Sequence, residues 1–328
     1  MPTTRTPRHG SMQYWPRKRA GRAYPRIKSW AGSKEAGLLG FAGYKIGMTT
    51  VFYNDTRKHS KTKGKEVAFP ATIIECPPLK IASIRLYKKD TYGLKLKAEI
   101  YGDVDKELGR KIPLPKKADP KKLDSINPEE YFDIRVNAYT QPKKSFVGKK
   151  KPELFEVGLG GTPEEKLAFA KENLGKEIPA SEVFKPGEQL DVHAVSTGRG
   201  FQGPVKRFGI GLTSHKAEKA RRNPGSLGGW KGQGHFMYRI AHAGQTGYHT
   251  RTEHNKWLLK IGDKPEDINP KGGFVGAGEV KSSYLLVKGS IQGPARRLVR
   301  LCHAARPNPK VPSEEPQLTY ISKESKQK

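Results

Sequence analysis

The stretch EQLDVHAVSTGRGFQGPVKRFG (188–209) changes character partway along. Its first nine residues alternate apolar and polar side chains, the period-two pattern of a strand with one buried face. From Gly198 the alternation stops, and twelve glycines follow within residues 198–247. A segment that long and that aperiodic inside a domain is either functional or without fixed structure. Downstream, SSYLLVKG (282–289) is almost wholly apolar or β-branched, and RRLVRL (296–301) follows a Gly-Ser-Ile-Gln-Gly-Pro turn. Short strands separated by turn signals predict a small barrel interrupted by a glycine-rich excursion.

Upstream, GLLGFAGYKIGMTTVFY (37–53) predicts two short apolar strands joined by a glycine-containing turn, and NDTRKHSKTKGKE (54–66) a solvated hairpin tip. VAFPATIIEC (67–76) predicts the next strand, which Pro77 and Pro78 end. KIASIRLYKK (80–89) and GLKLKAEIYG (93–102) keep enough alternation for a hairpin, and FDIRVNAYT (132–140) alternates cleanly. Between them, residues 103–130 are rich in lysine and proline and read as a surface excursion. One helix is clear in TPEEKLAFAKENLG (162–175): Thr162 caps, Pro163 takes the first helical position, and Glu165 completes a capping box. Leu167, Ala170 and Leu174 share a face, and Gly175 ends the helix. Strands, a helix and nearly matched charge mark residues 69–184 as a domain with its own core.

Charge is distributed unevenly. The 328 residues carry a formal net charge of +30, and residues 1–34 contain nine Lys or Arg and no acid. Residues 198–260 contain twelve Lys or Arg against Glu218 and Glu253 alone. Packing like charge destabilises a compact state, so a polyanion is implied. Tyr14, Trp15, Tyr24 and Trp30 interleave the first stretch, and Phe201, Phe208, Trp230, Phe236, Tyr238, Tyr248 and Trp257 the second. Cations with planar rings suit phosphates with unstacked bases. A membrane surface would call for an amphipathic helix, which prolines at 7, 16 and 25 and glycines at 10 and 21 forbid in the tail. No apolar run reaches the ~18 residues of a span, and the N-terminal stretch lacks the apolar h-region of a secretory signal, so a cytosolic location is expected. Cys76 and Cys302 read as ordinary thiols.

GRGFQG (198–203) has the spacing of a dinucleotide-binding loop and, with Val205, of a kinase glycine loop. A dinucleotide site needs a helix next, where Pro204, Gly209 and Gly211 predict loop, and the kinase strings H-R-D and D-F-G are absent. The better reading is backbone passing close to phosphate, with Arg199, Lys206 and Arg207 as contacts. His215, His235, His242, His249 and His254 match no metal-ligand spacing and are expected to stack or hydrogen-bond with RNA. No catalytic constellation, cofactor or small-molecule substrate is indicated. Trp230, framed by five glycines, reads as a ring at the tip of an extended finger, whereas Trp257 in NKWLLKIG reads as core.

TPRHGSMQYWPRKRA (6–20), GYKIGMTTVF (43–52), STGRGFQGPVKRFG (196–209), NPGSLGG (223–229), AHAGQTGYHTRTEHNK (241–256) and LLVKGSIQGP (285–294) together closely resemble the universal third protein family of the large ribosomal subunit (the L-three family) in its archaeal and eukaryotic form. The resemblance implies a mainly β protein with an α+β insertion. Residues 37–68, 185–212 and 245–310 would make a six-stranded translation-protein-type β-barrel, and 69–184 the inserted α+β domain. Residues 1–36 would be a basic N-terminal extension, 213–244 a finger loop and 311–328 a C-terminal tail. It further implies a ribosomal scaffold without catalysis that binds near the 3′ end of the large-subunit rRNA, nucleates assembly, and packs beside neighbouring ribosomal proteins in the cytoplasm. A free RNA chaperone or RNA-modifying enzyme is the alternative.

The expected rRNA contacts are Arg5, Arg8, His9, Trp15, Arg17, Lys18, Arg19, Arg22 and Arg26 in the tail. Arg199, Phe201, Gln202, Lys206 and Arg207 follow in the glycine strand. His215, Lys216, Arg221, Arg222, Trp230, Lys231, His235 and Arg239 belong to the finger, and His242, Gln245, His249 and Arg251 to the return segment. Trp230 is expected to approach the peptidyl transferase centre.

Overall fold

A computed structural model describes residues 9–57, 59–115, 120–216, 220–225 and 240–324. The chain forms two compact units, Met1–Ala23 with Val195–Arg251, and Tyr24–Ala194 with Thr252–Lys328. No described helix is long and apolar enough to cross a membrane.

The larger unit begins with β1 (Gly37–Leu38) and β2 (Gly40–Asn54). β2 is one fifteen-residue strand where the sequence predicts two short ones. Its glycines admit neighbours instead of turning the chain: a Cβ on Gly43 would lie 2.6 Å from Ile74 Cγ2 and 2.8 Å from the Glu75 carbonyl. A bulge between Lys45 and Gly47 lets the strand bend without breaking its ladder to β3 (Glu66–Glu75).

β4 (Leu79–Asp90), β5 (Gly93–Tyr101), β6 (Asp133–Tyr139) and β7 (Leu154–Gly160) build a second sheet, followed by α1 (Pro163–Asn173) and β8 (Glu177–Ile178). The order is β1-β7-β6-β4-β5, with β8 on β4. α1 starts at the expected capping box: Glu165 N donates to Thr162 Oγ1 at 3.4 Å, and Thr162 N to Glu165 Oε2 at 2.9 Å. Leu167 and Ala170 are buried in one core with Ile84, Leu86, Ile134, Val136 and Val157. The surface excursion is less open than its composition suggests. Short 3-10 turns at Lys106–Arg110 and Pro120–Leu123 bury Leu108 and Leu123.

The chain continues through β9 (Gln189–Val195), β10 (Gly198–Gln202), α2 (Pro204–Phe208) and β11 (Gly244–Gly247). It then forms β12 (Thr250–Gly262), β13 (Tyr284–Lys288), β14 (Leu298–His303) and β15 (Leu318–Ile321). The strand order is β14-β9-β12-β13-β3-β2-β15, and β14 also pairs with β2, from Leu298↔Tyr44 to Cys302↔Gly40. That second pairing joins the two ends of a six-strand ladder, while β15 extends β2 outside it. Phe41, Tyr44, Ile73, Leu190, Val192, Leu258, Leu286, Val299 and Leu301 are fully buried. Each such side chain contributes roughly 1.5–3 kcal/mol relative to exposure. Trp257 is buried as expected, its indole N–H donating to the Gly187 carbonyl at 3.0 Å.

Arg300 ties the two sheets of this unit together. Its guanidinium is 1% exposed, donates to the Glu156 carbonyl at 2.7 Å, and lies 4.3 Å from the Phe155 ring centroid and 5.5 Å from that of Trp30. Burial pushes its pKa down to about 10.

Candidate nucleic-acid interface

In the smaller unit β10 and β11 pair antiparallel, with Gly198 opposite Gly247 and Gln202 opposite Gly244. Gly247 has φ +71, and a Cβ there would collide with the Thr197 carbonyl. Only glycine meets both demands without strain. A helix does follow GRGFQG, contrary to the sequence expectation: α2 is a single turn with Pro204 at its first position, where the missing N–H costs nothing. Gly209, at φ +71, closes it by donating to the Val205 carbonyl at 2.9 Å. The preceding strand pairs antiparallel to β11, whereas a dinucleotide fold needs a parallel β-α-β unit.

Cations and rings pack together around this strand pair. Phe208 is buried, with the Trp15 ring 6.1 Å away and the Arg17 guanidinium 4.3 Å from its centroid. Arg207 Nε donates to the Gln245 carbonyl at 3.1 Å and Nη1 to the His242 carbonyl at 2.9 Å. Arg207 Nη2 donates to the Arg17 carbonyl at 3.3 Å, and Arg17 Nη1 returns a bond of 3.3 Å to the Arg207 carbonyl. Burial lowers the Arg207 pKa. The Gln245 amide donates to the Gly247 carbonyl at 3.0 Å.

His249 is 9% exposed, and its Nδ1 lies 3.0 Å from the Lys18 carbonyl. A carbonyl only accepts, so Nδ1 carries the proton. Burial lowers the imidazole pKa against the opposing bond to the Lys18 carbonyl, and the nearby Arg251, Arg17 and Arg207 add to the lowering. The tail is further pinned where Ala20 N donates to the Tyr248 carbonyl at 2.8 Å.

Other groups of the unit are exposed. The Phe201 ring is 77% exposed. Arg199, Lys206, Lys18, Arg19 and Arg22 are exposed, and the Arg251 guanidinium lies 4.6 Å over the exposed Tyr14 ring. Arg199, Gln202, Lys206 and Thr246 line an open pocket of about 400 Å³. Thr246 is not among the sequence candidates; nothing in its local pattern distinguishes it. No described residue of this unit carries a carboxylate side chain, so among the described residues its surface cations have no acidic partner within it.

The other candidates fall in three places. His9, His215, Lys216, Arg221 and Arg222 are exposed in the smaller unit, where Thr213 N donates to the Arg221 carbonyl at 3.0 Å, and His242 is half-buried. Arg26 is exposed in the larger unit. Arg5, Arg8, Trp230, Lys231, His235 and Arg239 lie outside the described residues. Among the described residues no group of three His, Cys, Asp or Glu is arranged to hold a metal.

The chain is similar to Large ribosomal subunit protein uL3 of Methanothermobacter thermautotrophicus, at 48% identity over 98% of each chain. The protein of the same name from Archaeoglobus fulgidus is 45% identical over 98% of each chain. That from Methanothrix thermoacetophila is 42% identical over 100% of this chain and 99% of its own. The family model described as Ribosomal protein L3 matches residues 1–328, and the chain belongs to that family.

Proposed function

We propose that the chain is a structural constituent of the large ribosomal subunit, a non-catalytic protein that binds rRNA with its smaller unit and works in the cytoplasm within the ribosome. The relatives' shared name supports the assembly. One observation supports the rRNA contact: exposed cations and a bare phenylalanine ring stand around a strand pair that its glycines, Arg207 and His249 brace, with no acid among the described residues of that unit. On this reading Arg207, Arg17, Gln245 and His249 are struts, and Arg199, Phe201, Lys206, Lys18, Arg19 and Arg22 meet the RNA. Arg199 and Lys206 neutralise phosphate while Phe201 offers a face to an unstacked base.

By the family resemblance, the six-strand ladder is the translation-protein-type barrel, residues 69–184 are its insertion, and residues 1–36 are the threading tail. The same resemblance supports binding near the 3′ end of the large-subunit rRNA, a part early in assembly, neighbouring ribosomal proteins as partners, and a finger ending at Trp230. Each neutralised phosphate releases counterions, so the affinity of the full chain for a large-subunit rRNA transcript should fall steeply with salt, by roughly 1,000-fold or more between ~50 and ~200 mM. Filter binding across that range tests it, and a flat response would sink the electrostatic reading.

A further inference from the structure

The segment joining β2 to β3 reads as a solvated hairpin tip in sequence, yet it is built around a buried carboxylate. Residues 55–65 (DTRKHSKTKGK) contain five Lys or Arg and a single acid, Asp55. The Asp55 side chain is fully buried. It accepts from Arg57 Nε at 2.9 Å and Nη2 at 2.8 Å, from the Arg57 backbone N–H at 3.1 Å, and from Ser60 Oγ and Thr62 Oγ1 at 2.6 Å each. The backbone closes around this hub: Asp55 N donates to the Lys65 carbonyl at 3.1 Å, Gly64 N to the Asp55 carbonyl at 2.8 Å, and Lys65 N to the Thr62 carbonyl at 2.9 Å. Gly64 turns the chain at φ +74. The loop therefore has a definite shape.

Its acid is consumed internally while its lysines are not. Lys61, Lys63 and Lys65 are exposed, and no carboxylate pairs with them among the described residues. Glu66, the next acid along the chain, accepts from Thr319 Oγ1. Elsewhere in the larger unit lysines commonly sit on acids: Lys80 on Asp105 at 2.8 Å, Lys144 on Glu177 at 2.6 Å, Lys166 on Asp133 at 2.9 Å, and Lys256 on Glu253 at 2.6 Å. Three like charges at alternate positions of one loop repel one another, and a bound polyanion relieves that repulsion. The loop exposes no large apolar side chain to anchor a protein partner, and a lysine ammonium binds phosphate as a point charge.

We infer that this loop is a separate RNA-binding knob, in which Lys61, Lys63 and Lys65 grip the sugar-phosphate backbone of folded rRNA without reading its bases, on a shape that Asp55 holds ready. The assignment rests on the chain being an rRNA-binding protein, but it involves none of the residues of the smaller unit.

The full chain and its K61Q/K63Q/K65Q and K61R/K63R/K65R variants are titrated with a large-subunit rRNA transcript over a range of salt. These side chains hydrogen-bond to nothing described, so the variants should melt with the wild type. The glutamine variant should bind roughly 10- to 100-fold more weakly at ~150 mM salt, and its log-affinity against log-salt slope should shrink by roughly 2 to 3, at ~0.7–0.9 per contact. The arginine variant should keep both values. A glutamine variant with wild-type affinity and slope overturns the knob while leaving the wider reading intact. A wild-type chain insensitive to salt overturns that wider reading as well.

Discussion

At the scale of single residues, two groups that the fold brings together are held quiet by burial. His193 Nε2 lies 3.3 Å from Cys302 Sγ and its Nδ1 2.8 Å from Thr252 Oγ1, a pairing that could pass for a nucleophile and its base. Burial pushes the Cys302 thiol up to about 12, with the Asp191 carboxylate adding to it, so no thiolate forms near neutrality. The same burial, with the Arg300 charge, lowers His193 to about 4. This sets a pH dependence. The folded pKa lies below the unfolded value of 6.5, so as pH falls from 6.5 towards 4 the unfolded chain takes up the proton first and stability is lost. Urea melts at pH 7 and pH 5 should differ, and His193→Gln should remove roughly 1–2 kcal/mol of that difference, the imidazole being partly open to solvent screening. An equal pH dependence in the variant would place the titration elsewhere. No local pattern distinguishes His193 from a solvent-facing strand histidine; its neighbours come from residues far along the chain.

At the scale of elements, the signals that came through were those generated within one segment. The capping box of α1 is an example, since Thr162 and Glu165 contact each other three residues apart. β9, β13 and β14 were likewise legible from alternation or apolar runs. β7 (LFEVGLG), β12 and β15 were not expected, because glycine, charge and polarity weaken their patterns. The glycines of GRGFQG (198–203) were read as backbone passing close to phosphate; at Gly247, across the strand pair, the nearest obstacle is the chain itself. Gly247→Ala forces both a positive φ and a contact with the Thr197 carbonyl, for a local cost of roughly 1–3 kcal/mol. It should weaken rRNA binding several-fold while leaving the salt slope near wild type, because no cation is removed. Titration at three salt concentrations checks it, and a wild-type affinity would show that the hairpin shape does not matter.

At the scale of the whole molecule, all but one of the 32 acids lie in the larger unit, and the exception, Glu218, falls outside the described residues. The larger unit pairs much of its charge internally, and the described residues of the smaller one do not. If the finger works as the family resemblance implies, Trp230→Ala should leave the thermal melt of the chain unchanged. In subunits assembled with that variant, chemical footprints of the peptidyl transferase rRNA should be altered, and unaltered footprints would return Trp230 to a local packing role. The sequence by itself determined the polyanionic partner, the β character and the family, because charge, periodicity and motif order are properties of the chain as written. Tertiary structure alone decided which cations are struts and which stand free. Arg207 and Arg199 are both arginines in one basic stretch, and only the folded positions of the Gln245 and His242 carbonyls separate them. It also turned Asp55 inward and left three lysines outside unpaired, since burial and pairing depend on what the fold brings near.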